Sequence, residues 1–219
     1  VDAMKRFRLA AVEWAAGGVG APAAAAVAQE LANGSGLRTA VLVEGVSDQA
    51  ALEALAARRG RDLAAEGISV VPLGGATSIG RFLGLLGPQG LDVGLAGLCD
   101  AAEESYFQRS LERVGLGFDL TRAEMESLGF YVCVADLEEE LIRCLGTDSV
   151  VRVVEAQGDL RSFRTFQNQP AQRGRAVEQQ LRRFMGTLSG RKIHYAHALV
   201  DNLELTRVPR PLDALLAHV

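Results

Sequence analysis

Carboxylates follow three of the four short apolar runs that open the central part of this sequence. Thr39-Ala40-Val41-Leu42-Val43 leads into Glu44 and, four residues on, Asp48. Val93-Gly94-Leu95-Ala96-Gly97-Leu98 leads through Cys99 into Asp100, with Glu103 and Glu104 next, and Phe130-Tyr131-Val132-Cys133-Val134 leads into Asp136 and then Glu138-Glu139-Glu140. An isolated Glu-x-x-x-Asp has an ordinary explanation, with Asp48 capping a helix and Glu44 merely exposed. Three such groups converging on one place repel strongly unless a cation stands between them. An all-oxygen donor set selects a hard divalent ion, Mg²⁺ or Mn²⁺, over zinc. His194 and His197 stand three apart, but no nearby Cys or His completes a zinc set.

The elements that must position these groups alternate. After two Ala-rich helices over 4–16 and 22–33, parted by Gly17-Gly18-Val19-Gly20, four apolar runs each precede a helix: 47–58, 77–86, 103–114 and 137–145. The second run is Ile68-Ser69-Val70-Val71. Strands apolar on both faces and joined by helices predict an α/β domain with a four-stranded parallel sheet and right-handed crossovers. In such sheets the chemistry collects beyond the carboxyl ends of the strands. The second strand ends there in Pro72-Leu73-Gly74-Gly75-Ala76-Thr77-Ser78, a glycine turn that offers backbone amides to a phosphate or serves as ordinary turn and cap. It lacks the Lys-Ser or Lys-Thr of a Walker A loop, as does the rest of the chain, so no nucleotide cofactor and no intrinsic ATPase are expected. The expected division is an N-terminal helical segment (1–36), a sheet core (37–146) and a C-terminal helical region (147–219) packed on the core. In the last, Val177, Leu181, Phe184 and Leu188 repeat at helical spacing.

The chain of 219 residues, 48% hydrophobic, has material for one sizeable core and too little for three domains. Its least charged stretch, Trp14 to Gln29, is broken by Gly17-Gly18 and Pro22, so neither a membrane span nor a secretory signal is expected. Cys99, Cys133 and Cys144 make an odd count without metal spacing, which fits a reduced, cytoplasmic protein. Net charge is −4, yet residues 143–192 hold ten basic groups against four acidic ones, which is +6 and leaves −10 elsewhere. Arg161, Arg164, Arg173, Arg175, Arg182 and Arg183 in that segment either present a cationic surface to a polyanion or form a solvated helical face. Lysine occurs only at positions 5 and 192.

The segment Val41-Leu42-Val43-Glu44-Gly45-Val46-Ser47-Asp48 with the later Asp100 resembles the TOPRIM domain shared by topoisomerases, primases and certain nucleases. It is most similar to the OLD (overcoming lysogenization defect) type. Gly74-Gly75, Asp136-Leu137-Glu138 and Lys192 in Gly190-Arg191-Lys192-Ile193-His194-Tyr195-Ala196 fall in the same order, and the likeness spans roughly 38–200. The resemblance implies a metal-dependent endonuclease, a hydrolase that nicks or cleaves nucleic acid, most readily DNA. Glu44, Asp48, Asp100, Asp136 and Glu138 would hold one or two ions, ~3.5–4 Å apart if two. Lys192 would lie over the scissile phosphate, and the six arginines would meet the backbone.

Two departures stand out. The usual Asp-x-Asp is Asp100-Ala101-Ala102 here, so Glu103 or Glu104 would have to substitute, and the ATPase that accompanies OLD-type TOPRIM domains is absent, which implies a small stand-alone member. The missing carboxylate leaves open a second possibility, a catalytically silent module that binds nucleic acid or a partner protein. Topoisomerase action would need a strand-holding tyrosine, and Tyr106, Tyr131 and Tyr195 read as packing residues. The N-terminal helices, with Trp14, would pack on the sheet or on a second copy in a homodimer.

Overall fold

The computed structural model describes residues 3–187 and 190–219. The sheet is parallel throughout, with strand order β2-β1-β3-β4, where β1 is Thr39–Val43, β2 Ile68–Pro72, β3 Gly94–Cys99 and β4 Phe130–Val132. Residues 40 to 43 of β1 are wholly buried because helices cover both faces. Val41 and Val43 face one core, with helices α3 (Val46–Arg58), α7 (Leu137–Leu145) and α10 to α12 (Val177–Met185, Arg191–Asn202, Arg210–His218). Ala40 and Leu42 face the other, with α1 (Ala3–Ala16), α2 (Ala21–Gly34), α4 (Ile79–Leu86) and α5 (Glu104–Arg113). This double burial is why the strands read as unbroken apolar runs.

Register places the site. Val43 pairs with Leu98 and Cys99 with Val132, so the residues after β1, β3 and β4 leave the sheet on one edge. The chain runs from β1 to β2 on one side and returns to β3 on the other, which puts a topological switch point between β1 and β3, where ligands of open α/β sheets bind. Gly97 permits the close approach of strands here: a Cβ would stand 2.8 Å from Leu42 O and 2.8 Å from the Phe130 ring.

Several local expectations change. The helices expected from 77 and 103 begin as 3₁₀ turns, Ala76–Ser78 and Ala101–Glu103, because the chain turns tightly out of each strand before α4 and α5 start. Helix α6 (Arg122–Ser127), opened by a Thr121/Glu124 capping box, was not expected, and 147–219 resolves into α8 (Thr147–Ala156), α9 (Leu160–Gln167) and α10 to α12. Tyr131 and Tyr195 are buried, but Tyr106 is 40% exposed with Arg109 over its ring at 5.3 Å, so it does not pack as expected. On α10, Leu181 and Phe184 are buried while Val177 is exposed, and Leu188 lies outside the described residues. Of the two dispositions open to α1, it takes the sheet: Met4, Phe7 and Ala11 are buried, Ser69 Oγ donates to Met4 O at 3.5 Å, and Arg8 Nη1 donates to Val70 O at 3.3 Å along the free side of β2. Among the described residues no helix is long and apolar enough to cross a membrane.

Candidate metal centre and nucleic-acid interface

A cleft of about 700 Å³ opens at the switch point, walled by Glu44, Asp48, Gly74, Gly75, Asp100 and Lys192 among others. Each acid arrives there for a local reason. Gly45 continues β1 in extended conformation, and its N–H donates to Asp48 Oδ2 at 2.8 Å. Asp48 thus caps α3, as the ordinary explanation of its position has it, and lies in the cleft as well. Gly74 and Gly75 carry φ of 70° and 122°, backbone that favours glycine, and Gly75 N–H donates to Glu44 O at 3.2 Å, tying the second strand's turn to the first strand's tip. Asp136 opens α7: its Oδ1 accepts Glu139 N–H at 2.8 Å, which places Glu138 on the first turn.

Charge crowding shows in the acidities. Burial pushes the Asp100 carboxyl up to about 8, and Glu44, Asp48, Asp136 and Glu138 add to the effect. Burial also raises Glu44, with Glu103 adding to it and Lys192 opposing; Asp48 and Glu138 are raised chiefly by burial, again against Lys192. Burial pulls the other way on Lys192, but Glu138, Asp48 and Asp100 outweigh it and hold the ammonium above its ordinary value. Lys192 Nζ lies 3.0 Å from Glu138 Oε1, and Arg182 Nε lies 2.5 Å from Asp136 Oδ2.

The structure therefore brings Glu44, Asp48, Asp100, Glu103, Asp136, Glu138 and Lys192 to one sheet edge. Of the two acids after Asp100, Glu104 is taken by Arg122 at 2.9 Å, while Glu103 remains within electrostatic reach of Glu44. The histidines go elsewhere: His194 Nε2 meets Gln157 at 2.7 Å and His197 Nδ1 meets Asp201 at 2.9 Å. Among the described residues no three Asp, Glu, His or Cys side chains form a ready-made metal cage. The donor set nonetheless suits a hard divalent ion: it is all oxygen, and Glu44 Oε2 is buried with no hydrogen-bond partner, an arrangement costly unless a cation satisfies it.

The six arginines are all exposed and follow one another on α9, the 168–176 segment and α10. Arg164 donates to Gln167 Oε1 at 3.0 Å, Arg173 to Asn168 O at 3.0 Å and Arg175 to Ala171 O at 2.9 Å. Arg182 differs in turning back to the acidic edge. Two supports escaped the sequence reading. Buried Glu140 accepts Val134 N–H at 2.8 Å and pairs with Arg143, fixing the loop that carries Asp136. Asp159 accepts the Tyr195 hydroxyl at 2.9 Å and lies 3.5 Å from Arg191, whose guanidinium sits 4.3 Å from the Phe184 ring centre, so the start of α11, and Lys192 with it, is braced from three sides. The only advance signal was adjacency: Glu140 ends an acidic run and Arg191 precedes the lone late lysine.

A parallel sheet with acids at its switch-point edge defines this as a TOPRIM-class α/β fold. Residues 37–101 match the family model described as the Overcoming lysogenization defect protein-like TOPRIM domain, and the chain thus carries a TOPRIM domain of the OLD type. The C-terminal region of the Xanthomonas campestris pv. campestris OLD protein is similar with a TM-score of 0.66 and 23% identity, over 84% of this chain and 92% of that one. The C-terminal region of the Burkholderia pseudomallei OLD protein is similar with a TM-score of 0.65 and 20% identity, over 83% of this chain and 96% of that one. No curated protein matches the chain.

Proposed function

We propose that the chain hydrolyses phosphodiester bonds of nucleic acid, DNA in the first instance, with Mg²⁺ or Mn²⁺. The observation that carries this is the buried, unpartnered Glu44 Oε2 beside Asp100 in a cleft crowded with carboxylates and edged by one lysine. Glu44, Asp48 and Asp100 would hold one ion, and Asp136, Glu138 and Glu103 are the donors available for a second. When bound, such an ion supplies Lewis-acid polarisation of a phosphoryl oxygen and eases ionisation of the attacking water. The chain's own residues do the rest. Lys192, half-exposed over the acids, offers a compact positive charge to the phosphate as negative charge builds on it. Gly74 and Gly75 have open space where a Cβ would stand, so a substrate backbone can come close. The three free cysteines suit a reducing compartment, and we place the protein in the cytoplasm.

Supercoiled plasmid incubated with the protein and Mn²⁺ or Mg²⁺ tests the reading. The native chain is expected to convert plasmid to the nicked form, with Glu44→Gln slower by about 10²-fold or more. Nicking that is absent, or unchanged in that variant, overturns it. Backbone contact by four of the arginines carries its own expectation: DNA affinity falling about 10²-fold between ~50 and ~200 mM salt, read by fluorescence anisotropy. A flat salt response rejects the arginine face as the contact.

A silent binding module is the second reading. It is favoured by Lys192 and Arg182, which already neutralise Glu138 and Asp136, and by alanine at position 102. That protein would shift DNA in a gel and leave the plasmid intact.

A further inference from the structure

Asp136 and Glu138 are each met by a cation from another helix, and the two cations stand differently towards solvent and substrate. Lys192 belongs to the cleft itself. Arg182 belongs to α10, beside exposed Arg183 and after Arg173 and Arg175, on the face assigned to the polyanion. Its side chain is 48% exposed while that of Asp136 is 10% exposed, and its Nη1 lies 3.9 Å from Glu139 Oε2. One guanidinium thus has two rival anions, Asp136 and a passing phosphate.

The two oxygens of Asp136 are divided between tasks: Oδ1 caps α7 through Glu139 N–H, and only Oδ2 engages Arg182. Withdrawal of Arg182 would free one carboxylate oxygen and leave the helix start intact. A half-exposed ion pair is weak enough for a phosphate to compete with it.

We propose that Arg182 couples nucleic-acid binding to metal binding: a backbone phosphate draws the guanidinium off Asp136, and the released Oδ2 becomes available to the divalent ion. The coupling is reciprocal, so metal raises affinity for nucleic acid by the factor by which nucleic acid raises affinity for metal. Without substrate, Arg182 keeps the acidic edge under-loaded. This inference rests on the nuclease reading above, and it assigns Arg182 to regulation of that site as a positioning residue.

The test is Mn²⁺ affinity of the full chain, read from the electron-paramagnetic signal of free Mn²⁺, with and without a phosphorothioate DNA duplex whose own Mn²⁺ uptake is subtracted. For the native chain the duplex is expected to tighten Mn²⁺ about three- to fivefold, the competition a half-exposed pair can exert. Arg182→Gln should bind Mn²⁺ tighter by about that factor with no DNA present, and the duplex should then add nothing. Arg183→Gln removes a neighbouring charge that has no printed tie to the acids, and should leave DNA-free Mn²⁺ affinity at the native value. The proposal is overturned if Arg182→Gln matches the native chain without DNA, if Arg183→Gln tightens Mn²⁺ equally, or if the duplex has no effect on the native chain. Those failures, with Glu44-dependent nicking intact, remove the coupling alone; a native chain that takes up no Mn²⁺ at millimolar levels removes the nuclease reading as well.

Discussion

Asp100→Asn is expected to cost about 10²–10³-fold in plasmid nicking while making the metal-free protein more heat-stable. The two effects share one cause. Asp100 lies among Glu44, Asp48, Asp136 and Glu138, and burial with their charge pushes its carboxyl up to about 8. An unfolded aspartate titrates near ~3.9. The folded chain therefore holds a proton that the unfolded chain has released across the interval between those values, and stability falls as pH rises through it. The contribution is fully present below the unfolded value and lost as pH passes the folded one. Asparagine removes the ionisation and with it that slope. At pH 8.5 the variant should melt about 2–4 °C above the native chain, the response of a chain of this size to a gain on the order of 1 kcal/mol after solvent screening at a partly exposed group. At pH 5 the two should coincide. Millimolar Mg²⁺ should stabilise the native chain at pH 8.5 and not the variant. Calorimetric melting at both pH values checks this, and equal melting temperatures at pH 8.5 would remove crowding as the cause.

Phe184→Ala is expected to destabilise the fold by about 3–5 kcal/mol, measured by urea unfolding. The ring is buried at the meeting of three aromatic partners, with centroids 5.1 Å from Phe163, 5.6 Å from Phe166 and 6.4 Å from Tyr195, and Arg191 lies on its face. Truncation leaves a cavity and also frees the guanidinium that braces the start of α11. Nicking by the folded fraction should then fall, because Lys192 is the next residue. Phe184→Leu, which refills part of the space, should recover most of the stability but not the cation–π contact. A loss under ~1 kcal/mol for the alanine variant would mean the cluster repacks.

The sheet was legible because β1 is buried on both faces: a strand with no polar side to present leaves an unbroken apolar run, and its end is marked by the first charge. The acids at the edge were legible for the same reason. What the residues alone left open was partnership. Asp48 caps a helix and lines the cleft at once, and nothing in a linear chain decides between those uses. Arg182 belongs by sequence to a row of arginines and by geometry to Asp136, 46 positions away. Glu140 and Asp159 act through partners that only packing supplies. Tyr106 was taken for a packing residue since aromatics usually are, yet its place on the outer side of α5 leaves it to Arg109.

The free side of β2 is occupied: α1 lies along it, and Arg8 accepts no rival there while it holds Val70 O and pairs with Glu53 at 2.5 Å. An unclaimed strand margin is an invitation to polymerise by adding strands from another molecule. With that margin blocked, copies of this chain that associate must do so through their helical exteriors, and the acid-lined rim stays open in any such assembly unless those helices are themselves drawn across it.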